Sequence, residues 1–203
     1  MSYIELIKKH VDKANQLVDA MRILHSRGLI NIRGGNGSIK VTENEILITP
    51  SGLPKHLLKP EDLVVIRLDG SWHGRYKPTI EYRMHLEIYR RIREARAVLH
   101  AHNPYTILAV ELGIELNPKE FVETRYAIGE CIGVVDEVEP GTEELAKMVG
   151  DKAEKCKTII LRRHGVVAYG ETIYHALDAI EALEDYAKII VLKQILKRTT
   201  STS

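Results

Sequence analysis

The stretch from Pro78 to His102 reads PTIEYRMHLEIYRRIREARAVLHAH and predicts a helix followed by an apolar strand that ends in two histidines. Side chains two residues apart on a strand point to the same face, so His100 and His102 would present two imidazoles side by side. On a helix the same spacing would separate them by about 200°. Glu81 opens the predicted helix, and two imidazoles with a carboxylate are the raw material of a catalytic zinc site.

A third ligand is expected from elsewhere in the sheet, because a catalytic zinc usually has three protein ligands and one open position. His164 is the best candidate, since it follows the apolar strand Thr158–Leu161 and Gly165 lets the chain turn after it. The remaining histidines lie on predicted helices or in polar loops and fit less well. His85 is expected to pack under the sheet.

The glycine-rich turn at residues 34–38, GGNGS, has the composition of an anion-binding loop. Glycines allow a close backbone approach, and Asn36 and Ser38 add side-chain donors around Gly37. The turn matches neither a Walker loop nor a dinucleotide fingerprint, and a purely structural turn fits it as well. The loop at residues 49–52, TPSG, and the hydroxyl of Thr79 are similar in kind.

Composition places the chain among ordinary globular proteins. Its 203 residues carry 29 Lys and Arg against 28 Asp and Glu, a net charge of +1, which favours neither a nucleic acid nor a membrane partner. We find no N-terminal segment of signal-peptide type and no apolar run of about 18–20 residues, so we expect a cytoplasmic protein. Cys131 and Cys156 lack the spacing of metal ligands and are expected to be buried or idle thiols.

Apolar periodicity predicts interleaved helices and strands, several of them joined by turns too short for a crossover helix. This pattern predicts one α/β domain over residues 1–203, with three α/β/α layers and a mixed, largely antiparallel central sheet. Residues 198–203 are expected to be a frayed tail. The expected helices are Tyr3–Arg27, Glu81–Glu94, Pro104–Leu112, one from about Thr142, and Thr172–Lys197. The expected strands are Ser38–Val41, Ile46–Thr49, Leu63–Leu68, Val98–Ala101, Cys131–Val135, Thr158–Leu161 and Val166–Tyr169.

Six short motifs taken together resemble the class II aldolase/adducin family, and they follow its order over residues 3–195. One motif departs from the family pattern: the family's aldolases carry two hydroxyl residues before the glutamate, and here the second is Ile80. The motifs are Gly35-Asn36-Gly37-Ser38, Thr49-Pro50-Ser51-Gly52, Asp62-Leu63-Val64, Pro78-Thr79-Ile80-Glu81, His100-Ala101-His102 and His164-Gly165.

The resemblance implies a metal-dependent carbon–carbon lyase of carbohydrate metabolism. Its substrate would be a ketose 1-phosphate similar to fuculose 1-phosphate, cleaved to dihydroxyacetone phosphate and an aldehyde. One Zn²⁺ per subunit, or another divalent metal, would be held by His100, His102 and His164, and also by Glu81 when no substrate is bound. Glu81 would be the catalytic acid and base, and Tyr126 a candidate catalytic residue that crosses a subunit interface. The residues implied for the substrate phosphate are Asn36, Gly37, Ser38, Ser51, Gly52 and Thr79.

The same resemblance leaves other activities open. A methylthioribulose-1-phosphate dehydratase or a sugar-phosphate epimerase would use the same zinc site, and some family members are decarboxylases. The adducin branch uses the fold as a non-catalytic interaction module. Family members usually form homotetramers with active sites at subunit interfaces, so we expect that assembly here.

Overall fold

The structure, a computed structural model, describes residues 2–200, and side chains among them through Lys197. Helices and strands are interleaved along these residues, as the sequence predicts. The helices are α1 (Tyr3–Lys9), α2 (Val11–Ser26), α3 (Tyr82–Arg91), α4 (Pro104–Glu111), α5 (Val122–Ala127), α6 (Glu143–Ala153) and α7 (Ile173–Thr200). The strands are β1 (Asn36–Lys40), β2 (Glu45–Ile48), β3 (Val64–Arg67), β4 (Trp72–His73), β5 (Ala97–Ala101), β6 (Ile132–Val135), β7 (Thr158–Leu161) and β8 (Gly165–Gly170).

The helix bounds differ from the predicted ones at both ends of the chain and at α3, which ends at Arg91 rather than at Glu94, and helix α5 and strand β4 were not predicted. The single N-terminal helix is divided at His10, whose φ of −118° and ψ of 36° are not helical. Neither proline nor glycine marks that break. At the other end α7 continues to Thr200, three residues beyond the predicted end at Lys197. The rest of the predicted tail, residues 201–203, lies outside the described residues.

The eight strands form one mixed sheet in the order β4-β3-β2-β1-β5-β8-β7-β6. Its neighbouring strands are antiparallel, apart from β6 and β7, which run parallel. The predicted largely antiparallel sheet is therefore confirmed. Short turns between consecutive strands suit antiparallel pairs, whereas the parallel pair requires the crossover through α6.

Helices cover both faces of the sheet, which confirms the three-layer prediction. One hydrophobic core contains residues of α2 and α7, and the other contains residues of α3 and α6. Strand β5 shows the two-residue alternation between them. Leu99 belongs to the core under α2 and α7, whereas Val98 belongs to the core under α3. His100 has the parity of Val98 and therefore faces α3.

No helix among residues 2–200 is both long enough and apolar enough to cross a membrane.

The two cysteines form a disulfide, contrary to the expectation of separate thiols. Cys131 and Cys156 are 25 residues apart in sequence, and their Cα atoms are 5.3 Å apart. Pairing of β6 with β7 explains this proximity, because the register sets Ile132 opposite Thr158. Cys131 directly precedes Ile132, and Cys156 lies two residues before Thr158, so the two cysteines enter the parallel pair side by side.

Reduction of this disulfide is expected to destabilise the protein. Freeing a loop of this length raises the entropy of the unfolded chain by an amount worth about 3 kcal/mol. For a chain of this size that corresponds to a fall in Tm of roughly 6 to 12 °C, measured by calorimetry with and without reductant. The double variant Cys131→Ser/Cys156→Ser is the control and should not respond to reductant. Two titratable thiols in the oxidised native protein would contradict the assignment.

Candidate active site

His100 occupies the middle of the sheet, where β5 lies between β1 and β8. The register places it opposite Asn36 on one side and Val167 on the other. Its side chain is fully buried, and its Nδ1 lies 3.0 Å from the carbonyl oxygen of Val166. A carbonyl only accepts, so Nδ1 carries the hydrogen and Nε2 presents a free lone pair. The fold thus fixes the tautomer that a metal ligand requires.

Two glycines make room for the histidines. A Cβ on Gly165 would lie 2.1 Å from the carbonyl oxygen of Ala101, so only glycine permits β8 to approach β5 this closely. A Cβ on Gly34 would lie 2.6 Å from Cε1 of His102. The glycine-rich turn therefore packs directly against the second histidine of the pair.

His164 lies in the turn between β7 and β8, directly after a residue with an unusual backbone. Arg163 has a φ of 57°, a left-handed conformation that is uncommon for residues other than glycine. Its guanidinium is 3.0 Å from the carboxylate of Glu111 and 3.0 Å from that of Glu137. These ion pairs attach the turn to α4 and to the segment that follows β6.

The three histidines predicted as ligands converge. Ring centroids are 5.0 Å apart for His100 and His102, 4.7 Å for His100 and His164, and 5.6 Å for His102 and His164. One nitrogen from each ring lies within 4.8 Å of the others, which is a group that could hold a metal ion. Three neutral imidazoles form a common protein ligand set for catalytic zinc.

Glu81 faces this cluster from the N-terminal end of α3. The residue is only 5 % exposed, with Oε2 3.4 Å from Nε2 of His100 and Oε1 3.6 Å from Nε2 of His164. Oε2 also accepts a hydrogen bond of 2.7 Å from Nδ2 of Asn36. The acid predicted from sequence therefore lies beside two of the three predicted ligands.

Buried atoms without partners support a cation at this position. Among the described residues, Oε1 of Glu81, Nε2 of His100 and Nδ1 of His164 are buried and have no hydrogen-bond partner. Buried polar atoms are nearly always paired in folded proteins. A divalent cation among these donors would satisfy unpaired atoms that otherwise cost stability, so the residues fit a metal.

Burial also sets the protonation of the cluster. It lowers the pKa of His100 to about 4 and lowers that of His102, so both rings are neutral near pH 7, as ligation requires. For Glu81, burial opposes ionisation, but His100, His164 and the hydrogen bond from Asn36 together hold its pKa below the usual value. Glu81 is therefore a carboxylate near neutral pH.

A buried polar network extends from Glu81 beneath α3. Oδ1 of Asn36 is 2.6 Å from Nε2 of His85, and Nδ1 of His85 is 2.7 Å from the hydroxyl of Ser38. That hydroxyl is also 2.9 Å from the hydroxyl of Tyr89. The expectation that His85 packs under the sheet is correct, and its ring joins two strand residues to the helix.

The network changes the interpretation of the predicted anion-binding turn. The side chains of Asn36 and Ser38 are buried and bonded to Glu81, His85 and Tyr89. Gly37 faces the opposite core, where a Cβ would lie 2.7 Å from the side chain of Leu99. The structure thus does not bring Gly37 or the Ser38 hydroxyl to the histidine cluster, and Asn36 is linked to that cluster through Glu81.

The other predicted anion-binding residues lie on two adjoining segments. The backbone N–H of Ser51 donates to Lys77, and that of Thr79 donates to Thr49. Gly52 lies at an exposed position with a φ of 77°. The buried amine of Lys55 donates to two carbonyls of the 49–55 loop and so holds its shape. Thr79 is two residues from Glu81, which brings this group of residues to the N-terminal end of α3.

Tyr126 is a predicted site residue that does not lie near Glu81 and the histidine cluster. It lies on α5, which packs against α7, whereas Glu81 begins the helix on the other face of the sheet. The side chain is 80 % exposed. The chain does not bring this ring to Glu81.

Sequence reasoning missed the roles of His85 and Tyr89 in the network. Glu81, His85 and Tyr89 are each four residues apart, so they share one face of α3. Asn36 and Ser38 are two residues apart on β1, so their side chains point to the same face of the sheet. These two periods were present in the sequence, but only the packing of α3 on β1 brings them together.

A family model supports these observations. Residues 15–191 match the model described as the class II aldolase and adducin N-terminal domain.

Curated relatives of similar identity carry different activities in their names. A 3-oxo-tetronate 4-phosphate decarboxylase of Haemophilus influenzae is 30% identical over 182 residues, covering 88% of this chain and 86% of that protein. An L-fuculose phosphate aldolase of Methanocaldococcus jannaschii is 32% identical over 186 residues, covering 90% and 98%. A methylthioribulose-1-phosphate dehydratase of Methylococcus capsulatus is 33% identical over 187 residues, covering 85% and 89%.

Solved structures agree with the fold. The L-fuculose-1-phosphate aldolase of Thermus thermophilus superposes with a TM-score of 0.80 at 28% identity, covering 90% of this chain and 94% of that one. The match of the family model over most of the chain, together with this fold, identifies the protein as a member of the class II aldolase and adducin family.

Proposed function

We propose that this protein is a zinc-dependent aldolase that cleaves a ketose 1-phosphate to dihydroxyacetone phosphate and an aldehyde. The observation that carries the proposal is the convergence of three imidazoles on a buried carboxylate whose Oε1 has no hydrogen-bond partner among the described residues. A carboxylate in that position has one oxygen free for proton transfer. Similarity to aldolases of the family supports the choice of reaction.

His100, His102 and His164 would hold the metal, one ion per subunit, and Glu81 would join them in the absence of substrate. Zinc bound there would supply a Lewis acid that polarises the substrate carbonyl. Because all three imidazoles are neutral ligands, the full positive charge of the ion would be kept for that purpose.

Glu81 is the proposed acid and base. In cleavage the bond between C3 and C4 breaks, and C3 of the ketone product gains a proton from Glu81, which must be in its protonated form in this direction and leaves the step as the carboxylate. In condensation Glu81 removes that proton again. Oε2 already accepts a hydrogen bond from Asn36, whereas Oε1 has no partner among the described residues, so Oε1 is the oxygen proposed to exchange the proton.

Ser51, Gly52 and Thr79 are the proposed residues for the substrate phosphate. Together they offer two hydroxyls and an exposed glycine backbone close to the start of α3. Ile80, which replaces the second hydroxyl of the family pattern, is 62 % exposed. An exposed apolar side chain beside the phosphate residues favours a substrate different from fuculose 1-phosphate itself.

A homotetramer is part of the proposal, with the C4-hydroxyl proton of the substrate transferred by Tyr126 of a neighbouring copy. Two observations support it. The ring of Tyr126 is 80 % exposed in the single chain, and α7 exposes apolar side chains, among them Ile189 and Leu192. A cytoplasmic location is also proposed, since charged sugar phosphates do not cross membranes freely.

Dehydration and epimerisation of a sugar phosphate are the alternatives on the same site, and the decarboxylase relative adds a third. The named dehydratase relative favours the first of them. A non-catalytic adducin-like role is disfavoured, because the three histidines and the carboxylate are all present and assembled.

A substrate panel on zinc-loaded protein tests the reaction class. Fuculose 1-phosphate, rhamnulose 1-phosphate, ribulose phosphates and methylthioribulose 1-phosphate are each incubated, and the products are identified by mass and NMR. We expect dihydroxyacetone phosphate from at least one of them. Loss of water without carbon–carbon cleavage would assign the dehydratase instead, and an isomer of equal mass would assign the epimerase.

Replacing a proposed ligand should remove the metal. His102→Ala is expected to lower zinc affinity by at least roughly 100-fold, since even supporting residues around a metal contribute 10- to 100-fold. Metal content after dialysis is the measurement, and a strong chelator should abolish wild-type activity. His73→Gln is the matched control, because His73 lies exposed on edge strand β4. Full zinc content in His102→Ala would contradict the site.

Glu81→Gln should remove turnover and retain zinc. The amide keeps the size and the polarity of the side chain but transfers no proton, so we expect kcat to fall by roughly 10²- to 10⁴-fold. Glu87→Gln, on the same helix, is the control. Wild-type turnover in Glu81→Gln would rule out this carboxylate as the acid and base.

Borohydride separates this mechanism from one that uses a lysine Schiff base. The buried Lys55 amine, whose pKa is lowered by burial to about 8, is the residue that such a mechanism would recruit. Borohydride with substrate should leave the wild-type enzyme active. Inactivation by borohydride, with activity that survives chelation, would overturn the proposal.

A further inference from the structure

Helix α3 and strand β1 enclose a chain of hydrogen bonds that leads to Glu81. The α3 side chains of His85 and Tyr89 meet the β1 side chains of Asn36 and Ser38, and none of the four is more than 3 % exposed. All four bonds are between 2.6 and 2.9 Å.

The direction of each bond follows from the orientation of the Asn36 amide. In the structure the amide nitrogen of Asn36 donates to Oε2 of Glu81, and Oδ1 of the same amide faces the ring of His85. Oδ1 only accepts, which requires a hydrogen on Nε2 of His85. Burial lowers the pKa of His85 to about 3, so the ring is neutral and Nδ1 carries no hydrogen.

The remaining bonds complete one consistent order. Nδ1 of His85 accepts from the hydroxyl of Ser38, and the Ser38 oxygen accepts from the hydroxyl of Tyr89. Each hydrogen-bond donor in the chain from Tyr89 to Glu81 therefore has one acceptor. Rotation of the Asn36 amide by 180° would place Oδ1 against the carboxylate and the amide nitrogen against the Nε2 hydrogen, so both contacts would be repulsive.

We propose that His85 is a positioning residue that holds the Asn36 amide in the orientation that donates to Glu81. The donated bond fixes Oε2, 3.4 Å from Nε2 of His100, and leaves Oε1 3.6 Å from Nε2 of His164. Because His85 is fully buried, no bulk water reaches the site to replace its N–H. This inference rests on the proposed function, in which Glu81 moves a proton.

Two amide variants of His85 distinguish the contribution of its Nε2 from that of its Nδ1. A glutamine amide reaches the position of Nε2, whereas an asparagine amide reaches only that of Nδ1. His85→Gln keeps an N–H for Asn36, and His85→Asn keeps a partner for Ser38 but leaves Asn36 unsupported. We expect kcat of His85→Asn to lie about 10- to 100-fold below that of His85→Gln, with a smaller change in KM. Equal kcat values in the two variants would overturn the proposal.

Tyr89→Phe is the matched control. It removes the distal hydroxyl and retains the bond between His85 and Asn36, so kcat should remain near that of the wild type. Thermal unfolding and zinc content are measured for every variant. A loss of kcat in proportion to lost stability across all three variants would assign His85 a structural role only.

The tautomer of the His85 ring can be measured in protein that contains neither metal nor substrate. In wild-type protein labelled with ¹⁵N-histidine and freed of metal, NMR should show His85 as the neutral Nε2–H form with slow exchange of that hydrogen. The Nδ1–H tautomer or a protonated ring at pH 7 would overturn the inference, whether or not the variants fold. A wild-type protein that processes no sugar phosphate would contradict the proposed function alone, and the tautomer would still decide the orientation.

Discussion

The antiparallel register of β1 and β5 sets Asn36 opposite His100, and the chemistry of the site depends on that pairing. Residues of one parity on both strands face α3, so Asn36, Ser38 and His100 share a surface that would otherwise belong to a hydrophobic core. A slip by one residue would exchange this polar set for Gly37 and Leu99. The large apolar residues on both faces of the sheet oppose that slip, so the packing that stabilises the fold also fixes the site.

Polar groups beneath α3 fall into two classes. Asn36, Ser38, His85 and Tyr89 are bonded to one another, which removes the cost of burying them. Oε1 of Glu81 and two imidazole nitrogens of the cluster remain unpaired. The second class lies where a metal ion and a substrate would bind. Three of the buried atoms that lack a partner among the described residues are thus found together at the proposed metal site.

Membership of the family does not determine which reaction this protein catalyses. Relatives of nearly equal identity are named as an aldolase, a dehydratase and a decarboxylase. All three reactions could use a substrate carbonyl bound beside a metal ion and a carboxylate, so the histidine cluster does not distinguish them. Under the proposed function, the residues around the phosphate and the aldehyde product would distinguish them, and of these Ile80 is 62 % and Tyr126 80 % exposed.

The sequence alone predicted the layers and the mixed sheet from local periodicity, and it predicted His100, His102 and His164 as ligands because each lies at or just after an apolar strand; the pairing of β5 with β8 is what brings them together. It also identified Glu81 as the nearby acid. The tertiary structure decided the partner of Asn36, the burial of Ser38, the network through His85 and the pairing of Cys131 with Cys156. Each of these depends on which residues of distant elements face one another, and strand register and helix packing set that, whereas periodicity within a segment does not.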